Sequence, residues 1–139
     1  MPIGRKIEYE DACAEVRAVY DDIMETRKLR WIADFWKVIA QDPATLRRTW
    51  ESMKQVMGPG VIDPVAKELI FVAVSIANGC EYCSTAHTAT ARAKGATPEM
   101  LAEAFAVIGI AAETNALVTA WQVELDERLR RAAQATSAG

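Results

Sequence analysis

Apolar positions recur every three or four residues over most of this chain, the period of helices with one buried face. From about Tyr9 to Thr26 the stripe is Ala12, Val16, Val19, Tyr20 and Ile23, with Cys13 beside it as a small buried hydrophobe. A shorter helix is predicted from about Ile32 to Ala40, with Ile32, Phe35, Trp36 and Ile39 on one face. Asp42-Pro43 then reads as a capping side chain followed by proline at the first helical position. That helix should reach Met57 and stop at Gly58-Pro59-Gly60. Asp63-Pro64 repeats the same start, and the helix from Pro64 to about Asn78 is the most apolar of all. Between Leu69 and Ala77 only Ser75 is polar, which predicts a place in the middle of the fold.

Asn78-Gly79 is a helix stop, and the next helix should run from Cys80–Tyr82 to Lys94, ended by Gly95. Thr97-Pro98 opens another, reaching about Ala112. Glu113-Thr114-Asn115 reads as a polar break that caps a last helix, Thr114 to about Ala133. Residues 1–8 are expected to be a loose arm and Gln134–Gly139 a frayed end. The expectation is one all-α domain over residues 1–139, of about six or seven helices. Its centre is an antiparallel hairpin of Pro64–Asn78 and Cys80–Lys94.

Bulk properties narrow the function classes. A formal net charge of −3 gives nothing to draw nucleic acid, and the short basic runs suit solvated helix ends. The longest apolar stretch, Leu69–Ala77, is too short to span a bilayer, and no apolar leader follows the N-terminal charges, so no membrane partner is expected. Three cysteines are too few for a secreted disulfide scaffold, and a cytoplasmic location is expected. The four tryptophans are expected in cores or interfaces. The aromatic segment Leu29–Trp36 is expected to cover the site or meet another subunit.

The chemistry concentrates in Cys80-Glu81-Tyr82-Cys83 and His87. A helix start lowers thiol pKa values through its unpaired N–H groups, and i, i+3 spacing lets two sulfurs meet as a disulfide. His87, the lone histidine, lies one turn beyond Cys83 on the same face, where an imidazole can exchange the thiol proton. Glu68 lies eleven residues before Gly79 and His87 eight after it. Folded back on itself, that hairpin offsets the two by about three residues, or roughly 4–5 Å, close enough for direct or water-bridged contact. An equally weighted reading has Glu68 merely complementing the positive end of its own helix.

The run from Lys67-Glu68-Leu69 to Gly79-Cys80-Glu81-Tyr82-Cys83-Ser84-Thr85-Ala86-His87-Thr88 resembles the alkylhydroperoxidase D (AhpD) core of the carboxymuconolactone decarboxylase-like superfamily. That pattern, E-x(11)-C-x-x-C-x-x-x-H, is met at every spacing. The resemblance implies a thiol-dependent peroxidase with Cys83 attacking the peroxide, Cys80 resolving it as a disulfide, His87 exchanging the proton and Glu68 behind it. It also implies a hydroperoxide substrate, an external dithiol or thioredoxin-like reductant, no bound cofactor, and a homo-oligomer, trimeric or hexameric. Tyr82 stands where better-known members carry a second histidine, and tyrosine is no base near neutral pH. Three other readings are a zinc site at Glu68, Cys80, Cys83 and His87, lactone decarboxylation without a redox role, and a non-catalytic helical module. The compact C-x-x-C-x-x-x-H spacing is unlike paired zinc knuckles, and decarboxylation needs no cysteine pair.

Overall fold

The computed structural model describes residues 4–136, and these form seven helices with no strand among them. They fall into two compact units that divide between Val61 and Ile62.

In the first unit, α1 (Ala14–Arg27), α2 (Asp34–Ile39) and α3 (Pro43–Met57) surround one core. The α1 stripe Val16, Val19, Tyr20 and Ile23 is buried against Trp36, Leu46 and Trp50. Trp36 and Trp50 meet edge to face, 5.5 Å between ring centres. The Asp42 carboxylate accepts the Ala44 N–H at 3.2 Å, the cap that the Asp-Pro pair predicts.

Two expectations change here. Of the arm expected over residues 1–8, residues 1–3 lie outside the described residues, and the remainder is tied down. The Ile7 N–H donates to the Lys37 carbonyl at 3.0 Å, and the buried Tyr20 hydroxyl donates to the Ile7 carbonyl at 2.9 Å. Cys13 is exposed rather than buried, because α1 starts at Ala14 and leaves Cys13 at the N-cap, outside the inward stripe.

The second unit holds α4 (Pro64–Ala77), α5 (Glu81–Ala93), α6 (Pro98–Ala120) and α7 (Glu127–Thr136). α4 and α5 form the expected hairpin, and α4 also packs on α6. Asp63 accepts the N–H groups of Val65 and Ala66, and Thr97 accepts that of Met100, so both proline starts are capped. The core is small: Ala91, Ala96 and Leu101, with Val65 and Leu69 against them.

α4 packs on both α5 and α6, yet it is not buried on all sides. Its buried residues are Glu68, Val72 and Ser75, while Ile70, Val74 and Ile76 are exposed. The Ser75 hydroxyl donates to the Phe71 carbonyl at 2.8 Å, which is why it can be buried.

The break expected at Glu113-Thr114-Asn115 is absent, and α6 runs on to Ala120. Thr114 turns its hydroxyl back to the Ile110 carbonyl at 3.0 Å, so the polar triplet continues the helix. The chain turns instead at Gln122, whose φ of 50° is left-handed. The Val123 N–H closes on the Val118 carbonyl at 3.1 Å, a helix stop made without glycine. The last helix is therefore α7 alone. Of the frayed end expected over 134–139, α7 includes residues up to Thr136, and 137–139 lie outside the described residues.

An 18-residue window of the merged α6 has a mean hydropathy of 1.5, so this 23-residue helix is long and apolar enough to cross a membrane by length and composition. That corrects the expectation that no segment qualifies. Glu113 sits about two turns from its end, where a charge inside hydrocarbon is costly. Phe105, Val107, Ile110, Leu117 and Val118 of α6 are exposed.

Candidate active site

The site is built on the α4–α5 turn. α4 ends with the Gly79 N–H bonded to the Ile76 carbonyl at 3.0 Å and the Cys80 N–H bonded to the Ser75 carbonyl at 2.8 Å. That paired closure needs a left-handed residue, and Gly79 has φ 67°. Cys80 is thus the last residue tied to α4 and also the N-cap of α5. A Cβ at Gly79 would meet no atom within 4 Å, so Gly79→Ala suffers only backbone strain. It is expected to destabilise the protein by about 1 kcal/mol, read as a lower urea midpoint at unchanged slope.

The cap is a thiol. Cys80 Sγ accepts the Cys83 N–H at 3.3 Å, in the role usually taken by serine or aspartate. The Cys83 thiol also donates to Cys80, and these two bonds hold the Cys80 thiol below its ordinary pKa. The Cys83 thiol is pushed up, first because its proton is held by Cys80 and then by burial. Both cysteines are free thiols.

His87 follows Cys83 by one turn on the same face of α5. Its Nδ1 lies 2.7 Å from Oε2 of Glu68, which is 2 % exposed. Phe71, one turn beyond Glu68 on α4, stacks on the imidazole with ring centres 3.5 Å apart and planes at 19°. The second carboxylate oxygen, Oε1, accepts from Lys94 Nζ at 2.6 Å. Burial alone would raise the Glu68 pKa, but the hydrogen bonds from His87 and Lys94 outweigh it and hold it below the usual range. An ionised carboxylate only accepts, so Nδ1 carries the hydrogen, and Nε2 is then the acceptor in the neutral form of the ring.

The residues give no ready zinc site. Both Glu68 oxygens and His87 Nδ1 are already engaged, and among the described residues no three His, Cys, Asp or Glu side chains converge as ligands. A groove of about 410 Å³ lies between Ser84, Thr88 and Arg92 of α5 and the apolar Ile76 and Phe105. By helical spacing it opens on the side of α5 opposite Cys83 and His87.

With this geometry in hand, the relatives are informative. Residues 43–134, about two thirds of the chain, match the carboxymuconolactone decarboxylase family. The chain belongs to that family. The crystal structure of the alkylhydroperoxidase AhpD core from Rhodospirillum rubrum is 49% identical and superposes with a TM-score of 0.89. The match covers 93% of this chain and 97% of that one. The fold is therefore that of the AhpD core. An uncharacterized protein from Cupriavidus necator is 32% identical over 84 residues, 60% of this chain and 74% of that one.

In this family member the α4–α5 hairpin brings Glu68 and His87 into direct contact, as the offset about Gly79 predicts. Trp36, from the aromatic segment expected to cover the site or meet another subunit, lies in the first unit's core. Two site residues escaped the sequence reading. Lys94 is seven positions after His87 and Phe71 three after Glu68, so helical spacing would have put each on the right face. Neither residue type signals chemistry by itself.

Proposed function

We propose that this protein is a thiol-dependent peroxidase that reduces hydroperoxides through a Cys80–Cys83 dithiol–disulfide cycle. The observation that carries the reading is the buried Glu68–His87 pair at 2.7 Å, one helical turn from Cys83. Likeness to the Rhodospirillum rubrum AhpD core supports it.

The two thiols divide the work by their electrostatics. Cys83 keeps its proton in the reduced protein, so it needs a base, and His87 Nε2 takes that proton. The Cys83 sulfur then attacks the peroxide oxygen. The O–O bond breaks, the alcohol or water leaves with the proton from His87, and Cys83 becomes a sulfenic acid. Cys80, already biased to the thiolate, attacks that sulfur. The S–S bond forms and the hydroxyl departs as water, taking up the proton that the Cys80 thiol released. An external dithiol or thioredoxin-like donor supplies two electrons and two protons to restore the pair. Glu68 stabilises the imidazolium formed in the first step. A reducing cytoplasm suits this cycle. The exposed apolar faces of α4 and α6 suit self-association, as a trimer or hexamer.

The reduced protein is expected to consume hydrogen peroxide or an organic hydroperoxide over many turnovers when a dithiol donor is supplied. Peroxide loss followed across a panel of dithiol and thioredoxin-like donors makes the test. No turnover with any of them overturns the reading.

A further inference from the structure

We propose that Lys94 is a positioning residue for the thiol site. It holds Oε1 of Glu68 so that Oε2 is fixed on His87 Nδ1, and it thereby keeps Nε2 free to face the thiol.

The two oxygens of Glu68 have different partners on the same helix. His87 Nδ1 is 2.7 Å from Oε2, and Lys94 Nζ is 2.6 Å from Oε1. A carboxylate held at one oxygen still swings about its terminal torsion, which is broad. Held at both, it is a fixed acceptor. Phe71 closes one face of the imidazole, so the ring has little freedom except in how its proton is placed. Which nitrogen carries that proton is set by the bond the other makes.

The local fold holds Lys94 in place. It is the C-cap of α5, and Gly95 follows with φ 109°. The Gly95 N–H bonds to the Arg92 carbonyl at 3.0 Å and the Ala96 N–H to the Ala91 carbonyl at 2.9 Å. Ala91 and Ala96 are both buried in the small core, the apolar contact that completes such a helix end. The Lys94 backbone is thus fixed while its side chain, 34% exposed, reaches inward to a carboxylate that is 3% exposed. A lysine serving only the helix dipole would do so from solvent.

Chemical use of this arrangement rests on the peroxidase reading, but the positioning does not, and the two separate experimentally. His87 is the chain's single histidine, so nitrogen NMR reports one imidazole without assignment ambiguity. With the ring neutral, the wild type is expected to show a protonated Nδ1 and an unprotonated Nε2. Lys94→Met keeps the aliphatic stem and removes the charge, and is expected to show a mixture of both tautomers. Lys94→Arg is expected to restore the wild-type pattern. Peroxide turnover should fall on the order of tenfold in kcat, with KM little changed, in Lys94→Met and recover in Lys94→Arg.

A wild-type tautomer pattern in folded Lys94→Met overturns the proposal, as does Nε2 protonation in the wild type. A tautomer shift in Lys94→Met, in a wild type that turns over no peroxide, upholds the positioning and defeats the peroxidase reading. Thermal unfolding of each variant verifies that the spectra come from folded protein.

Discussion

Cys83→Ser is expected to lose peroxide turnover by on the order of a thousandfold or more, whereas Cys80→Ser should still reduce one equivalent of peroxide per chain and then stop. The asymmetry follows from the geometry. His87 lies one turn from Cys83 and has Glu68 behind it, so in the proposed cycle the proton path serves that sulfur. Cys80 caps α5 and is held towards the thiolate by Cys83, a state suited to attack on an already oxidised neighbour. Without Cys80, the Cys83 sulfenic acid has no resolving thiol and should persist. Mass spectrometry after a dimedone-type trap reads it directly, and peroxide loss in a single-turnover mix reads its stoichiometry. The opposite pattern, with Cys80→Ser inert and Cys83→Ser trapping a sulfenic acid at Cys80, moves the attacking role to Cys80. Full turnover in both variants removes the dithiol cycle altogether.

The sequence made the local parts of this site legible because they rest on short-range rules. Asp42-Pro43, Asp63-Pro64 and Thr97-Pro98 each start a helix where a capping oxygen meets a proline that lacks an N–H to satisfy. Gly79 sets the turn, and fixed helical rise then brings Glu68 opposite His87. What stayed hidden depends on tertiary partners or on exceptions to the usual residue code. Gln122 turns α6 off in a left-handed conformation that sequence rules reserve for glycine or asparagine, so the helix end fell in an unmarked place. Thr114 reads as a break because its hydroxyl competes with the backbone, yet here the competition is resolved inside the helix. The apolar run of α4 suggested a central helix, but the residue most deeply engaged on it is the charged Glu68, whose burial needs Lys94 as well as His87. An ion pair between residues 26 apart has no one-dimensional signature.

Glu68→Gln should show the second large effect, on stability and on activity together. Glutamine keeps the volume but offers one acceptor and no charge, so the Lys94 ammonium and the His87 ring lose their common partner. Each charge-assisted bond contributes about 1.5–3 kcal/mol when buried, and the Lys94 bond deserves a discount because that side chain is a third exposed. A net loss of about 2 kcal/mol near pH 7 is expected, read from chemical denaturation. Its pH dependence has a definite sign. The folded-state pKa of Glu68 is depressed below the unfolded value of about 4.3, so its contribution is fully present above that value. It is lost as pH falls through the depressed folded value. The gap between wild type and Glu68→Gln should therefore be wide at pH 6–7 and close in acid, with every other carboxylate common to both proteins and so cancelling. Turnover should fall by on the order of a hundredfold, because a neutral amide stabilises the imidazolium less and no longer enforces a hydrogen on Nδ1. A gap that stays constant with pH would mean that Glu68 is not ionised in the folded protein. A variant with wild-type turnover would leave His87 acting without its carboxylate.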